Sequence, residues 1–272
     1  MALYYDSFDP AILIGALATT LFLQVLSNLA NDYGDFVNGV DNESRIGPER
    51  SVQSGIIRAS EMKTAIILFT ILSLASGIWL LSSAIRNIGF EGVSIFFVLG
   101  LLAIGAAIKY TVGKNPYGYQ GLGDVAVFIF FGITGVAGTL YLHTAQVSPI
   151  DLLPAVSIGA LSTGVLNLNN MRDHDNDRES GKRSLVVMMG VRVARYYHLV
   201  LLGISMIAAL SYTFLNYQSP YQLLFLITTP MLIRNGLIVW RSESSSSIDG
   251  ELKKLAITTL VFALTLGIGL LF

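Results

Sequence analysis

Eight near-uncharged apolar stretches run through the sequence, at 11–30, 64–84, 93–110, 125–142, 150–169, 196–214, 221–240 and 254–272. Each approaches the about 20 residues an α-helix needs to cross a hydrocarbon layer. They are continuous and do not alternate in short pieces, which disfavours membrane strands. The reading is an all-α membrane protein of eight spans, one domain over residues 1–272. Charged residues are 13% of the chain, where a soluble domain carries about 25%. That excludes an ordinary soluble domain, a disordered chain and a basic nucleic-acid binder. The absence of Cys removes disulfides, thiolate metal sites and Cys nucleophiles, and 3 His argue against a His-based metal cage. The first run lacks a basic lead and is followed by Asn and Asp, unlike a signal peptide. Gly132 to Gly138 permits close helix packing in lipid.

Charge then orients the chain. Of the 17 Lys and Arg, only Arg86 and Arg234 lie away from the loops that follow the first, third, fifth and seventh runs. Positive-inside bias places those four loops in the cytoplasm and both termini outside. The inner loops at 36–63 and 172–195 are long and polar, so chemistry is expected on that face. The bacterial inner membrane is the expected location.

Two of these runs end alike. One leads into Asn28-Leu29-Ala30-Asn31-Asp32-Tyr33-Gly34-Asp35, the other into Asn167-Leu168-Asn169-Asn170-Met171-Arg172-Asp173-His174-Asp175-Asn176-Asp177. Asn28, Asp32 and Asp35, and separately Asp173 and Asp177, share a helix face if each helix continues that far. Clustered carboxylates beside lipid persist when they face a cavity, a cation or a partner. Facing one another, the two clusters make an oxygen-rich site suited to Mg²⁺ bound with substrate phosphates. Asp175, Glu179 and Glu43 read as solvent-facing, His174 as incidental, and His143 and His198 as interfacial. Each acidic end is followed by basic residues, Arg45 and Arg50 in one case and Lys182 and Arg183 in the other, which suit the remaining phosphate charge. The Gly181-Lys182 pair is no P-loop, because the glycine pattern and strand are missing. A third inner segment, Lys109 to Asp124, carries Tyr110, Lys114, Tyr117 and Tyr119 among glycines. Tyr117 and Tyr119 read as interfacial belt residues. Tyr110 is a candidate to stabilise a developing cation, and Lys114 to meet phosphate.

Together these segments resemble the UbiA superfamily of intramembrane prenyltransferases, in particular its naphthoate branch. The resemblance covers nearly the whole chain in order and spacing. The family's Asn-x-x-x-Asp-x-x-x-Asp motif matches Asn31 and Asp35. Its third member falls on Gly39, with Asp41 the nearest acid. Asp173 and Asp177 match the second motif, and Tyr110 and Lys114 match Tyr-x-x-x-Lys.

The resemblance implies transfer of a polyprenyl group from its diphosphate to 1,4-dihydroxy-2-naphthoate in menaquinone biosynthesis, with loss of CO₂. Mg²⁺ would be held by Asp32, Asp35, Asp41, Asp173 and Asp177. Tyr110, Lys114 and Lys182 would be catalytic. Asn28, Asn31, Arg45, Arg50, Asn167, Asn170 and Arg183 would bind substrate. The family has nine membrane helices, and the one without a counterpart here is the first, so a further apolar segment is expected upstream of Met1. The alternatives are another aromatic acceptor within the family, or a secondary transporter, towards which Arg234 inside the seventh run leans.

Overall fold

The computed structural model describes residues 1–40, 50–242 and 246–272, the side chains of 246 and 247 excepted. In chain order they form α1 (Pro10–Val37), α2 (Ala59–Lys109), α3 (Gly123–Thr144), α4 (Pro149–Arg172), the short α5 (His174–Glu179) and α6 (Leu185–Met189), α7 (Val191–Leu215), α8 (Pro220–Arg241) and α9 (Ser246–Gly269). No strand occurs among the described residues. Asp41 and Arg45 lie outside them.

Seven of these helices are long and apolar enough to cross a membrane, one fewer than the eight expected runs, because one helix holds two of them. The difference lies in α2, whose 51 residues hold both the 64–84 and the 93–110 runs. It is not straight. Gly89 takes φ 67° and ψ 179°, a conformation open to glycine and strained for other residues. Contacts with α1 show the fold-back. Lys63, near the start of α2, lies 5.5 Å from the Tyr33 ring, and Thr111, just past its end, bonds to Ala30. Leu80, midway, packs on Gly15 at the far end of α1. The expected loop at Arg86–Gly92 is thus replaced by one glycine between two helical arms.

α1 begins where Asp9 caps the Ala11 N–H at 2.7 Å and Pro10 fills the first turn. It runs past the apolar stretch to Val37, so Asn31, Asp32 and Asp35 are all helical. The outward faces are apolar: Leu17, Leu21, Ile67, Ile207 and Leu260 are exposed. The inward faces carry small residues, with Ala30, Ala155, Ala160, Ala194 and Ala209 fully buried. This arrangement suits lipid, where close packing rather than hydrophobic expulsion joins helices.

The buried core has two parts. One joins α1, α2 and the end of α3 around Ile12, Leu81, Ala84 and Leu142. The other joins α4, α7, α8 and α9 around Leu161, Leu202, Phe225 and Phe262. α3 bridges them, with wide π-helical turns from Phe128 to Gly138. At Gly132 a Cβ would lie 2.6 Å from the Ala155 carbonyl and 2.7 Å from Gly159 Cα, the close approach its glycines predicted.

Gly132→Val should therefore cost about 1–3 kcal/mol through backbone displacement. Thermal denaturation in detergent, followed by size exclusion, measures it. Gly100→Ala, with nothing within 4 Å of the added carbon, should melt like the parent.

Candidate active site

The two halves of the bundle meet at one end through loops. α4 stops at Arg172, and Asp173 (φ −91°, ψ 6°) separates it from α5. The Asp177 N–H still donates to the Asp173 carbonyl at 2.8 Å, so the acidic pair keeps its one-turn spacing across the break. The Asn176 side chain donates to the Val40 carbonyl (2.9 Å), tying α5 to the exit of α1. The 110–123 segment is wedged between them. Thr111 donates its hydroxyl to the Ala30 carbonyl (2.9 Å) and packs so closely on Gly34 that a Cβ there would overlap it. Asn38 donates to the Thr111 carbonyl, and the Arg183 N–H to the Tyr119 carbonyl.

Asp35 is the junction of the site. Its Oδ1 accepts from the Tyr119 hydroxyl at 2.7 Å. Its Oδ2 lies 3.6 Å from Arg50 Nη2 and 3.8 Å from Lys182 Nζ. Arg50 also pairs with Asp32. Lys182 reaches Asp177 Oδ1 at 3.4 Å and lies 5.4 Å from the Tyr119 ring centre. Arg172 grips both oxygens of Asp173 at 2.8 Å and extends to Asp249 of α9 at 3.1 Å. Asp35, Asp173, Asp177 and Lys182 are all buried.

Burial and like charge shape the electrostatics. Burial pushes the Asp177 carboxyl up to about 6; Lys182 opposes this, while Asp173 and Asp35 add to it. Burial also works against the charge on Lys182, but Asp35, Asp177 and Asp173 outweigh it and raise its pKa, so it stays an ammonium. Burial lowers Arg50 against the pull of Asp173 and Asp177. Burial, then Asp35, raises the Tyr119 phenol, which keeps its proton as a donor. Tyr110 is raised by burial, then by Asp124 and Asp35. Its ring packs edge-on against Tyr117 at 5.4 Å, and Gly118 and Gly123 leave it room.

Among the described residues no three acidic or His side chains close into a ready metal cage. The donor set still fits Mg²⁺. Asp32, Asp35, Asp173 and Asp177 outnumber Arg50, Arg172 and Lys182 around the site. Asp177 Oδ2, Asn31 Oδ1 and Asn167 Oδ1 are buried oxygens with no hydrogen-bond partner. Surplus carboxylate and unpaired hard oxygens suit a cation that takes few protein ligands and completes its shell with phosphate and water.

Other expected residues are placed less centrally. Asn167 is buried and donates to the Ala194 carbonyl, and Asn170 is buried beside it on α4. Asn28 is exposed, its carbonyl accepting from Gln24. The Arg183 side chain is exposed. Lys114 is exposed and has no ion pair among the described residues, because α2 ends at Lys109 and Gly113 (φ 110°) turns the chain away from Tyr110. Tyr119, read as a belt residue, instead holds Asp35, and Arg172, read as one more inner-loop cation, anchors Asp173. Neither has a local sequence signal, since each partnership depends on tertiary packing. His198 is not interfacial: it is fully buried, bonded to Asn235, which also donates to Glu251. His174 pairs with exposed Asp175 at the rim.

The profile of the UbiA prenyltransferase family matches residues 1–259. The chain is 42% identical over 269 residues to a 1,4-dihydroxy-2-naphthoate octaprenyltransferase of Escherichia coli, covering 97% of this chain and 86% of that one. It is 40% identical over 266 residues to the enzyme of the same name from Haemophilus influenzae, covering 98% and 86%. A solved UbiA homolog from Archaeoglobus fulgidus, bound to DMAPP and Mg²⁺, superposes with a TM-score of 0.61 at 18% identity, covering 97% of this chain and 88% of that one, a likeness of fold. With a family match over nearly its whole length and an acidic, cation-laced site at one end of a membrane bundle, the chain belongs to the UbiA prenyltransferase family.

Proposed function

We propose that the chain transfers a polyprenyl group from polyprenyl diphosphate to 1,4-dihydroxy-2-naphthoate, releasing diphosphate and CO₂ and giving the prenylated 1,4-diol, demethylmenaquinol, the reduced form of demethylmenaquinone. Identity of 40–42% over nearly the full length to octaprenyltransferases that bear this acceptor's name supports it. The observation that carries the chemistry is the convergence of Tyr119, Arg50 and Lys182 on Asp35, with Asp177 sharing the lysine. The Lys- and Arg-rich loops at this end support a cytoplasmic site in a bacterial inner membrane.

Asp35 and Asp177, with Asp32 and Asp173, would hold Mg²⁺, aided by the unpaired oxygens of Asn31 and Asn167. When bound, the metal neutralises diphosphate and makes it a better leaving group. Lys182 and Arg50, charged and already at the carboxylates, take the remaining phosphate charge as the allylic C–O bond breaks. The diphosphate leaves with the bonding pair. The Tyr110 ring faces the allylic cation. The naphthoate carbon bearing the carboxylate forms the new C–C bond. Loss of CO₂ returns an electron pair to the ring and restores its aromaticity. Tyr119 positions Asp35 and touches no reacting atom. The prenyl tail lies among the exposed apolar helix faces, in contact with lipid.

Asp35→Ala and Asp173→Ala should each lower transfer by at least about a hundredfold, a loss of several kcal/mol of transition-state stabilisation. Membranes assayed with labelled prenyl diphosphate, Mg²⁺ and either 1,4-dihydroxy-2-naphthoate or 4-hydroxybenzoate test both site and acceptor. Product with 4-hydroxybenzoate alone would reassign the acceptor, and near-normal turnover of either variant would remove the two-motif metal site. Asp175→Ala, exposed at the rim, should keep most activity.

Lys182→Ala should raise the KM for prenyl diphosphate more than that for naphthoate. Lys114→Ala, at an exposed position, should have the smaller effect. If only the naphthoate dependence moves, Lys182 serves the acceptor carboxylate instead.

Mg²⁺ requires Asp177 ionised. Half-saturating Mg²⁺ should therefore rise as pH falls below about 6, by about tenfold per unit for one proton. Metal-free stability should respond with the opposite sign. The folded carboxyl titrates above its ordinary value of 3.8, so the folded state takes up this proton first and gains as pH falls through about 6. Mg²⁺ titrations of turnover, paired with melts in chelator, measure both. A flat Mg²⁺ requirement over this range would exclude Asp177 as a ligand.

A further inference from the structure

Several inner-side cations are taken up by carboxylates: Arg50 and Lys182 at the site, Arg58 by Glu61, Arg172 by Asp173, Lys254 by Glu251. Arg192 and Arg195 are not. Neither side chain has an ion pair or hydrogen bond among the described residues, and Arg195 Nε is buried without a partner. They stand in the first turns of α7, where the free N–H groups and helix dipole are already positive and no acidic residue occurs in the first turn. Two cations there repel the helix end and each other unless an anion joins them.

The space for one is present. Arg192 and Arg195 line a cavity of about 330 Å³ with Val191, Tyr196 and, across from α8, Trp240. The Tyr196 and Trp240 rings meet edge to face at 4.7 Å, an aromatic pair of the kind that sits at a headgroup boundary. One turn before Trp240, Leu237 opens onto a larger groove of about 810 Å³ on the outer face of α8. Its walls are mostly apolar, with Leu226, Pro230 and Ile233, and its one charged lining residue is Arg234. Arg234 is exposed within the span and has no partner among the described residues. Its neighbour Asn235 is committed inward to His198 and Glu251. An arginine facing hydrocarbon is costly unless it reaches phosphate.

We propose that this face binds an anionic glycerophospholipid. Its phosphate lies on Arg192 and Arg195, its glycerol against Tyr196 and Trp240, and an acyl chain along the α8 groove, where Arg234 adds a further preference for negative charge. A basic pocket at the inner membrane boundary, continuous with an apolar trough, matches an amphiphile better than a soluble anion. The site is separate from the acidic centre but close to it. Ala194, between the two arginines, turns inward and accepts from Asn167.

The chain has 2 Trp, so Trp79→Phe leaves Trp240 as the only tryptophan, read selectively by exciting to the red of the tyrosine band. That protein is reconstituted in phosphatidylcholine vesicles to which brominated phosphatidylglycerol or brominated phosphatidylcholine is added. Half-quenching should need about tenfold or more less of the glycerol lipid. Arg192→Gln with Arg195→Gln should abolish the difference, while Arg195→Lys should keep part of it. Equal quenching by the two lipids with both arginines in place overturns the proposal, whether or not the double variant folds. Loss of the preference on adding inorganic diphosphate assigns the pocket to a free anion and overturns it too.

Discussion

A carboxyl group buried at the end of an apolar bundle must find polar partners within the protein, and Asp35 is such a group. Removing an ion from water costs several kcal/mol even after relaxation, so its partners must be brought to it. They come from three parts of the chain: Arg50 from beyond α1, Tyr119 from the loop after α2, and Lys182 from the segment between α5 and α6. Satisfying one carboxylate therefore fixes three loops over the mouth of the bundle. Removing one partner leaves the others with an uncompensated buried charge, so the residues suited to diphosphate chemistry also hold the loops in place.

The same cluster is deliberately unbalanced in charge. Lys182 is shared between Asp35 and Asp177, and Arg172 spends both of its near donors on Asp173. Asp177 is left with one oxygen unbonded and its carboxyl pushed up to about 6 by burial. A fully paired network would be rigid and inert. One short of cations has capacity for a divalent ion, and in the proposed reaction Arg50 and Lys182 would then have phosphate oxygens to turn to. The protein's own ion pairs thus keep the site folded with positive groups already in place.

Much of this was legible in the sequence, because each legible element rests on local physics. Apolar runs set the spans, and one-turn spacing put Asp32 and Asp35 on a face that α1 extends to include, and Asp173 and Asp177 one turn apart across a break in the helix. The failures share a cause as well. The reversal at Gly89 takes one glycine with positive φ, where a polar loop was expected. α7 starts at Val191, before the apolar run, because two arginines interrupt hydropathy without interrupting the helix. That places His198 two turns inside. Lys114 shares a helical spacing with Tyr110 that Gly113 cancels. Tyr119 resembles any boundary tyrosine until packing brings it to a carboxylate 84 residues away.

The two ends of the bundle are held by different forces, and that difference directs function. At the end away from the site the links are short and mostly uncharged. Asn87 donates to the Leu142 and His143 carbonyls, the Asp9 N–H donates to His143, and Tyr5 donates to Asp151. Nothing described there presents clustered cations to a diphosphate. At the site end, loops are pinned by ion pairs, and their cations belong to the basic loops that the proposed orientation puts on the cytoplasmic side. Arg234 fits the same division: it is exposed on the outside of α8 and lines an open groove there, so this charge does not point into the bundle as a transporter's would. The charges that set the orientation of the chain also decide which end can take a soluble diphosphate head while its tail stays in the bilayer.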